Sequence, residues 1–171
     1  MNYCKKCLQP DTRPGSYFTE DGICPACNYY FNSNLHADWD ERFDLLKEEI
    51  KRFKESNNKG NYFDCIIGVS GGKDSTRQAI WARDKLGLNP LLVCLAYPPE
   101  QITRRGVNNL SNLISLGFDV IVWSPKPKTW KKSLRNGFLK YTNWAKASEQ
   151  AIISSVPQIA IKYNIKLILW G

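Results

Sequence analysis

Apolar side chains recur at a helical interval from residue 39 onward: Trp39, Phe43, Leu46, Ile50 and Phe53 stand four, three, four and three apart, with charged residues between them. That spacing predicts an amphipathic helix with one packing face, which would lie on the core or on another subunit. Asp38 is its predicted N-cap, because a short carboxylate can accept hydrogen bonds from the orphan amides of the first turn. Ser56-Asn57-Asn58-Lys59-Gly60-Asn61 ends it as a linker. Past Gly60 the pattern alternates. Phe63–Val69, Pro90–Ala96, Asp119–Trp123 and Lys166–Trp170 read as strands, and Lys73–Leu86, Thr103–Leu116, Thr129–Trp144 and Ser148–Tyr163 as helices.

Strands and helices alternating at this spacing call for a parallel sheet with right-handed crossovers. Cys65-Ile66-Ile67 and Leu91-Leu92-Val93-Cys94 are apolar at every position, as strands covered by helices on both faces should be. The predicted class is α/β, a Rossmann-like parallel sheet with helices on both faces. Such sheets bind ligands beyond the carboxyl ends of their strands. Those ends are Ser70–Ser75, the stretch from Ala96 and Tyr97 to Thr103, Ser124–Thr129, and Gly171, and all four can converge on one nucleotide. Cys65 and Cys94 fall inside strands and read as core thiols. An apolar strand at the end of the chain would be poorly covered, so the chain is expected to be the N-terminal part of a longer protein or to have a partner over that edge.

Length and charge narrow this picture. A chain of 171 residues can bury one good core and a small appended module. No 18-residue apolar stretch exists and the start lacks a secretion signal, so a soluble cytoplasmic protein without membrane insertion is expected. Residues 1–60 carry nine Lys/Arg against ten Asp/Glu, whereas residues 61–171 carry fifteen against six. The basic half is where phosphates should bind. Its densest stretch is Lys126, Lys128, Lys131, Lys132, Arg135 and Lys140, readable either as a solvated helix face or as an anion site.

Two motifs carry chemistry. Cys4-Lys5-Lys6-Cys7, sixteen residues, and then Cys24-Pro25-Ala26-Cys27 form two paired-thiolate knuckles, which supply four soft ligands for tetrahedral zinc. Turn-formers between them suit a short ribbon with little core, stabilised by metal. A redox role for Cys24-Pro25-Ala26-Cys27 is the alternative, although that motif normally opens a helix and here lies among turns. His36, the one histidine, is at most a replacement metal ligand. The expected organisation is a zinc-ribbon-like module over 1–35, an amphipathic helix and linker over 36–60, and a nucleotide-binding domain over 61–171.

The second motif is Val69-Ser70-Gly71-Gly72-Lys73-Asp74-Ser75, between a strand and a helix. Adjacent glycines let backbone amides turn toward an anion, Ser70 and Ser75 add hydroxyls, and the following helix presents its positive end. It is not a Walker loop. Gly68 and Gly72 enclose three residues rather than four, and Asp74 rather than Ser or Thr follows Lys73. It resembles instead the PP-loop of the ATP pyrophosphatases, which adenylylate a substrate oxygen and release pyrophosphate.

The cysteine knuckles, Ile66-Ile67-Gly68-Val69-Ser70-Gly71-Gly72-Lys73-Asp74-Ser75, Gly87-Leu88-Asn89-Pro90-Leu91-Leu92-Val93, Asn108-Asn109-Leu110 through Leu116-Gly117-Phe118-Asp119, and Leu167-Ile168-Leu169-Trp170-Gly171 together resemble the N-acetyl sugar amidotransferases of lipopolysaccharide (O-antigen), pseudaminic and legionaminic acid pathways. The resemblance implies an ATP-dependent reaction, forming AMP and pyrophosphate, that turns a sugar acetamido group into an acetamidino group. It implies ATP, Mg2+ and Zn2+, a sugar or nucleotide-sugar substrate, and ammonia delivered by glutaminase and barrel-type partner subunits. On this reading Gly71 and Gly72 cradle phosphate, Lys73 neutralises it, Ser70 and Ser75 contact it, and Asp74 caps the helix or meets magnesium. Lys73, Asp74 and Ser75 form the catalytic set, Ala96 and Gly171 join the nucleotide site, and Cys4, Cys7, Cys24 and Cys27 hold zinc. Two other functions compete: a PP-loop tRNA sulfur-transfer enzyme, whose RNA would use the basic half, and a non-catalytic module whose loop merely holds nucleotide.

Overall fold

Ile66, Ile67 and their neighbours show why the chain folds around its first strand. In the computed structural model, which describes residues 1–33, 38–57, 61–98 and 102–170, β1 (Cys65–Val69) alternates its side chains between two buried layers. Cys65, Ile67 and Val69 enter one layer, and Ile66 enters the other. Strand β2 (Pro90–Leu95) does the same, sending Leu92 to the first layer and Leu91 and Val93 to the second. β-Branched and leucine side chains stand well on both sides of a parallel sheet, where no face meets water.

With β3 (Asp119–Trp123) and β4 (Ile168–Leu169) the sheet has the order β3-β2-β1-β4, all parallel. The first layer is completed by Ile50 from the end of α2 (Trp39–Asn57), Ala79 and Ala82 of α3 (Lys73–Leu86), and Leu113 of α4 (Arg104–Ser115). The second is completed by Val156 and Ala160 of α6 (Lys146–Lys162), against which α5 (Pro127–Tyr141) packs. The core is therefore the sheet with one layer of helices on each face, as the apolar pattern requires.

Polar contacts tie the strand starts together. Lys54 Nζ donates to the Gly87 carbonyl at 2.9 Å and stands 3.4 Å from Asp64 Oδ2, which accepts the Asn89 amide at 2.7 Å. Gly87 ends α3 in the left-handed region, at φ +61°, where a side chain would be strained.

The chain divides into two compact units, Met1–Glu49 and Ile50–Gly171. In the first, the Cys4 amide donates to the Gln9 carbonyl, Tyr3 bridges Pro10, and α1 (Pro25–Ser33) follows Cys24. Helix α1 corrects the reading of Cys24–Cys27 as a turn. Pro25 takes the first helical position, where its missing N–H costs nothing and its fixed φ suits the helix. The same effect starts α5 at Pro127 rather than Thr129. Asp38 caps α2 as expected, accepting the Asp40 and Glu41 amides at 3.0 Å each. The apolar stripe of α2 is buried only at Ile50. Trp39 is 63% exposed, Leu46 is exposed, and Phe43 lies beneath Lys47 Nζ at 4.7 Å. His36 and the linker residues 58–60 lie outside the described residues.

Candidate functional site

The loop from Ser70 to Ser75 sits where β1 ends and α3 begins, at the carboxyl edge of the sheet. Its internal bonds are hydroxyl contacts at long range. The Ser70 amide reaches Ser75 Oγ at 3.3 Å, the two serine hydroxyls lie 3.4 Å apart, the Gly72 amide reaches Ser70 Oγ at 3.3 Å, and Ser75 Oγ reaches the Gly72 carbonyl at 3.3 Å. Among the described residues the amides of Gly71, Lys73 and Asp74 have no protein acceptor. Three donors at a helix N-terminus, with Lys73 exposed beside them, make a place for an anion. The Asp74 carboxylate is also exposed and without a partner among the described residues, so it would be available to hold a magnesium ion.

A cavity of about 510 Å³ opens at the loop. Ser70 and Ser75 form one wall, and Val93 to Tyr97, including the predicted Ala96, form another. Lys73 and Asp74 do not line it. They stand at the first turn of α3, so the loop joins a walled chamber to an open cationic end. The chamber has room for a nucleoside, and its lining carries no charged side chain. Gly171 lies outside the described residues.

Sequence reasoning missed much of the chamber. Thr103, the N-cap of α4, falls within the expected second tip, but Gly106, Val107 and Leu110 on the same face of α4, and Ile152, Ser155 and Val156 of α6, were not expected. The spacing of the α4 set, three, one and three, marks one helical face and was available as a signal, though it could not say what that face meets. The third strand contributes Val122 rather than the Ser124–Thr129 tip. The base of the chamber depends on Gly68. A β-carbon there would lie 2.9 Å from Val156 Cγ2 and 3.7 Å from the Trp170 ring, so glycine lets helix and ring approach the strand.

The two core cysteines are poor nucleophiles. Burial, reinforced by Asp64 and opposed by Lys54, pushes the Cys65 thiol up to about 12, and burial raises Cys94.

In the first unit, Cys4, Cys7, Cys24 and Cys27 bring their Sγ atoms within 4.8 Å of one another, and Cys7 Sγ lies 3.6 Å from Cys24 Sγ. Zinc–sulfur bonds of about 2.3 Å in a tetrahedron set sulfurs about 3.8 Å apart, so the cluster fits that ion. Backbone amides prepare the thiolates: Cys24 N and Lys6 N donate to Cys4 Sγ at 3.2 and 3.4 Å, and Cys27 N donates to Cys24 Sγ at 3.4 Å. Burial disfavours the Cys4 thiolate, yet these amide bonds outweigh it and bring its pKa down to about 6. Cys27 is held up to about 12 by its contact with Cys7 and by burial.

No family model matches this chain, and no curated protein matches it. Among solved structures, NMN synthetase from Francisella tularensis superposes with a TM-score of 0.51 and 19% identity, covering 73% of this chain and 51% of that one. The NH3-dependent NAD synthetase from Campylobacter jejuni subsp. jejuni gives 0.47 and 15%, over 72% and 54% of the two chains. The U34-tRNA thiolase from Methanococcus maripaludis gives 0.36 and 14%, over 100% and 54%. The chain spans about half the length of these three proteins. Its parallel sheet with a helix layer on each face is the α/β fold that it shares with NMN synthetase.

Proposed function

We propose that this chain is the nucleotide-binding part of an ATP-dependent amidotransferase acting on an N-acetyl sugar. The observation that carries the reading is the Ser70–Ser75 loop, with its unpaired amides, opening onto an uncharged chamber at the carboxyl edge of the sheet. Adenosine would fill the chamber, and the triphosphate would run over Gly71 and Gly72 toward Lys73. An acetamide is a poor electrophile with a poor leaving group. Attack of its oxygen on the α-phosphorus of ATP expels pyrophosphate and leaves AMP on that oxygen. Ammonia then adds at carbon, a proton is lost, and AMP departs with the oxygen to give the acetamidino group. The loop amides and Lys73 would stabilise charge gathering on the departing pyrophosphate, and positioning would supply most of the remaining acceleration.

No Asp, Glu, His, Lys or Arg lines the chamber to take a proton from ammonium, so the reading calls for ammonia to arrive already neutral from glutaminase and barrel-type partners in the cytoplasm. The sequence resemblance supports this assignment. The test is to incubate the full-length protein with ATP, magnesium, ammonia and candidate nucleotide-linked N-acetyl sugars, measuring pyrophosphate, AMP and amidine. Failure of all three products with every sugar would refute it.

A tRNA thiolation activity is the second reading. It is favoured by Lys126, Lys128, Lys131, Lys132, Arg135 and Lys140, all exposed and none paired with a carboxylate among the described residues. Salt-sensitive tRNA binding with a thiolated product would establish it over the first.

A further inference from the structure

Helix α4 meets the crown of the phosphate loop at Asn109. Gly71 is buried and has φ +72°, and a β-carbon there would stand 2.8 Å from Asn109 Cβ and 3.0 Å from both the carbonyl carbon and oxygen of Asn109. Real β-carbons do not approach so closely, so the main chain of the loop rests directly on the helix. The hydroxyl bonds inside the loop, at 3.3–3.4 Å, are too long to fix its shape alone. A seat outside the loop then decides where the Gly71 amide points.

The same helix has a second engagement. Thr103, Gly106, Val107 and Leu110 line the chamber, and Asn109 flanks that face. One rigid element thus meets both ends of a nucleotide site, the chamber through four residues and the loop through Asn109. Asn109 is half-buried, and its side-chain amide makes no hydrogen bond among the described residues, so its contribution here is its Cβ and main chain.

We propose that Asn109 is a positioning residue of the phosphate site, seating Gly71 so that the loop amides face the anion. The inference rests on reading the loop as a phosphate site, and the experiment separates the two. Binding of magnesium pyrophosphate and of adenosine to the full chain is measured by calorimetry, with Tm recorded for each variant. Wild type should bind pyrophosphate and Lys73→Ala should weaken it; a wild type that does not bind, or an indifferent Lys73→Ala, overturns the phosphate reading itself.

Given binding, Asn109→Ala keeps the Cβ and should stay within about threefold of wild type, while Asn109→Ile branches at Cβ and should lose about tenfold or more. Adenosine affinity should move less than about twofold in both. Gly71→Ala should weaken pyrophosphate binding at least about thirtyfold, and adding Asn109→Gly should recover at least about threefold of that loss by removing one of the three close neighbours. Strain at φ +72° alone would not respond to residue 109, so this double variant also decides the matter if Asn109→Ile does not fold. Wild-type pyrophosphate binding by Asn109→Ile, equal losses for both ligands, or no recovery in the double variant would each overturn the assignment.

Discussion

Lys73 and Ser75 share the first turn of α3 but would have separate jobs on the proposed reading. The lysine is exposed and unpaired among the described residues, whereas Ser75 is part of the loop's own hydroxyl network and of the chamber wall. Removing a charged donor to a phosphate costs about 1.5–3 kcal/mol, so Lys73→Ala should lower ATP-dependent pyrophosphate release about tenfold to a hundredfold. Ser75→Ala should lower it less, because the main-chain donors remain. A release rate untouched by both changes would remove these residues from the reaction.

Cys65 offers a test of the core. Its folded-state pKa is raised from the ordinary 9.0 to about 12, so folded and unfolded chains are equally protonated below pH 9. Between pH 9 and 12 the unfolded chain ionises first, and the stability contributed by the neutral buried thiol is lost as pH rises. The loss should be on the order of a few kcal/mol, and Cys65→Ala should flatten it relative to wild type in urea titrations across that window. Parallel slopes would mean the thiol is not sealed from water.

At the scale of elements, β1 and α6 meet across Gly68. Alanine there would press a methyl group into Val156 Cγ2 at 2.9 Å and approach Trp170. Overpacking of this kind costs about 1–3 kcal/mol. Gly68→Ala should therefore lower the urea midpoint and weaken adenosine binding, and Val156→Ala should recover much of the stability. Additive losses in the double variant would show that strand and helix do not meet there.

The elements themselves were largely readable from the chain. β1, β2, α3 and α4 fall within two residues of their predicted bounds because burial on two faces, or on one stripe, writes a period into the sequence. Helix α1 was not readable, since Cys24-Pro25 serves equally as a turn or a helix start. The fourth strand shrinks to Ile168–Leu169 and, among the described residues, pairs only with β1.

For the molecule as a whole, the cysteine unit and the sheet unit differ in what holds them. Among the described residues of Met1–Glu49 only Cys4 and Cys24 are fully buried apolar side chains, while Ile50–Gly171 has two apolar layers. Zinc in such small modules contributes apparent folding energies of about 10–16 kcal/mol. Chelating the metal, or Cys24→Ser, should unfold the first unit by hydrogen exchange while the second keeps its thermal transition. A first unit that keeps its protection without metal would mean that hydrogen bonding alone sustains it.

Local spacing alone determined the parallel α/β class, the phosphate-type loop and the four-cysteine set, because each is written in intervals of a few residues. Pattern could not decide which helix faces close the chamber, that Trp39 stands exposed, or that Asn109 lies against Gly71. Those facts join residues tens of positions apart, and a repeat tells which side of an element is apolar without telling what it meets. Only the packed sheet, by setting strand order and helix depth, brought Gly71 against Asn109 and Gly68 against Val156.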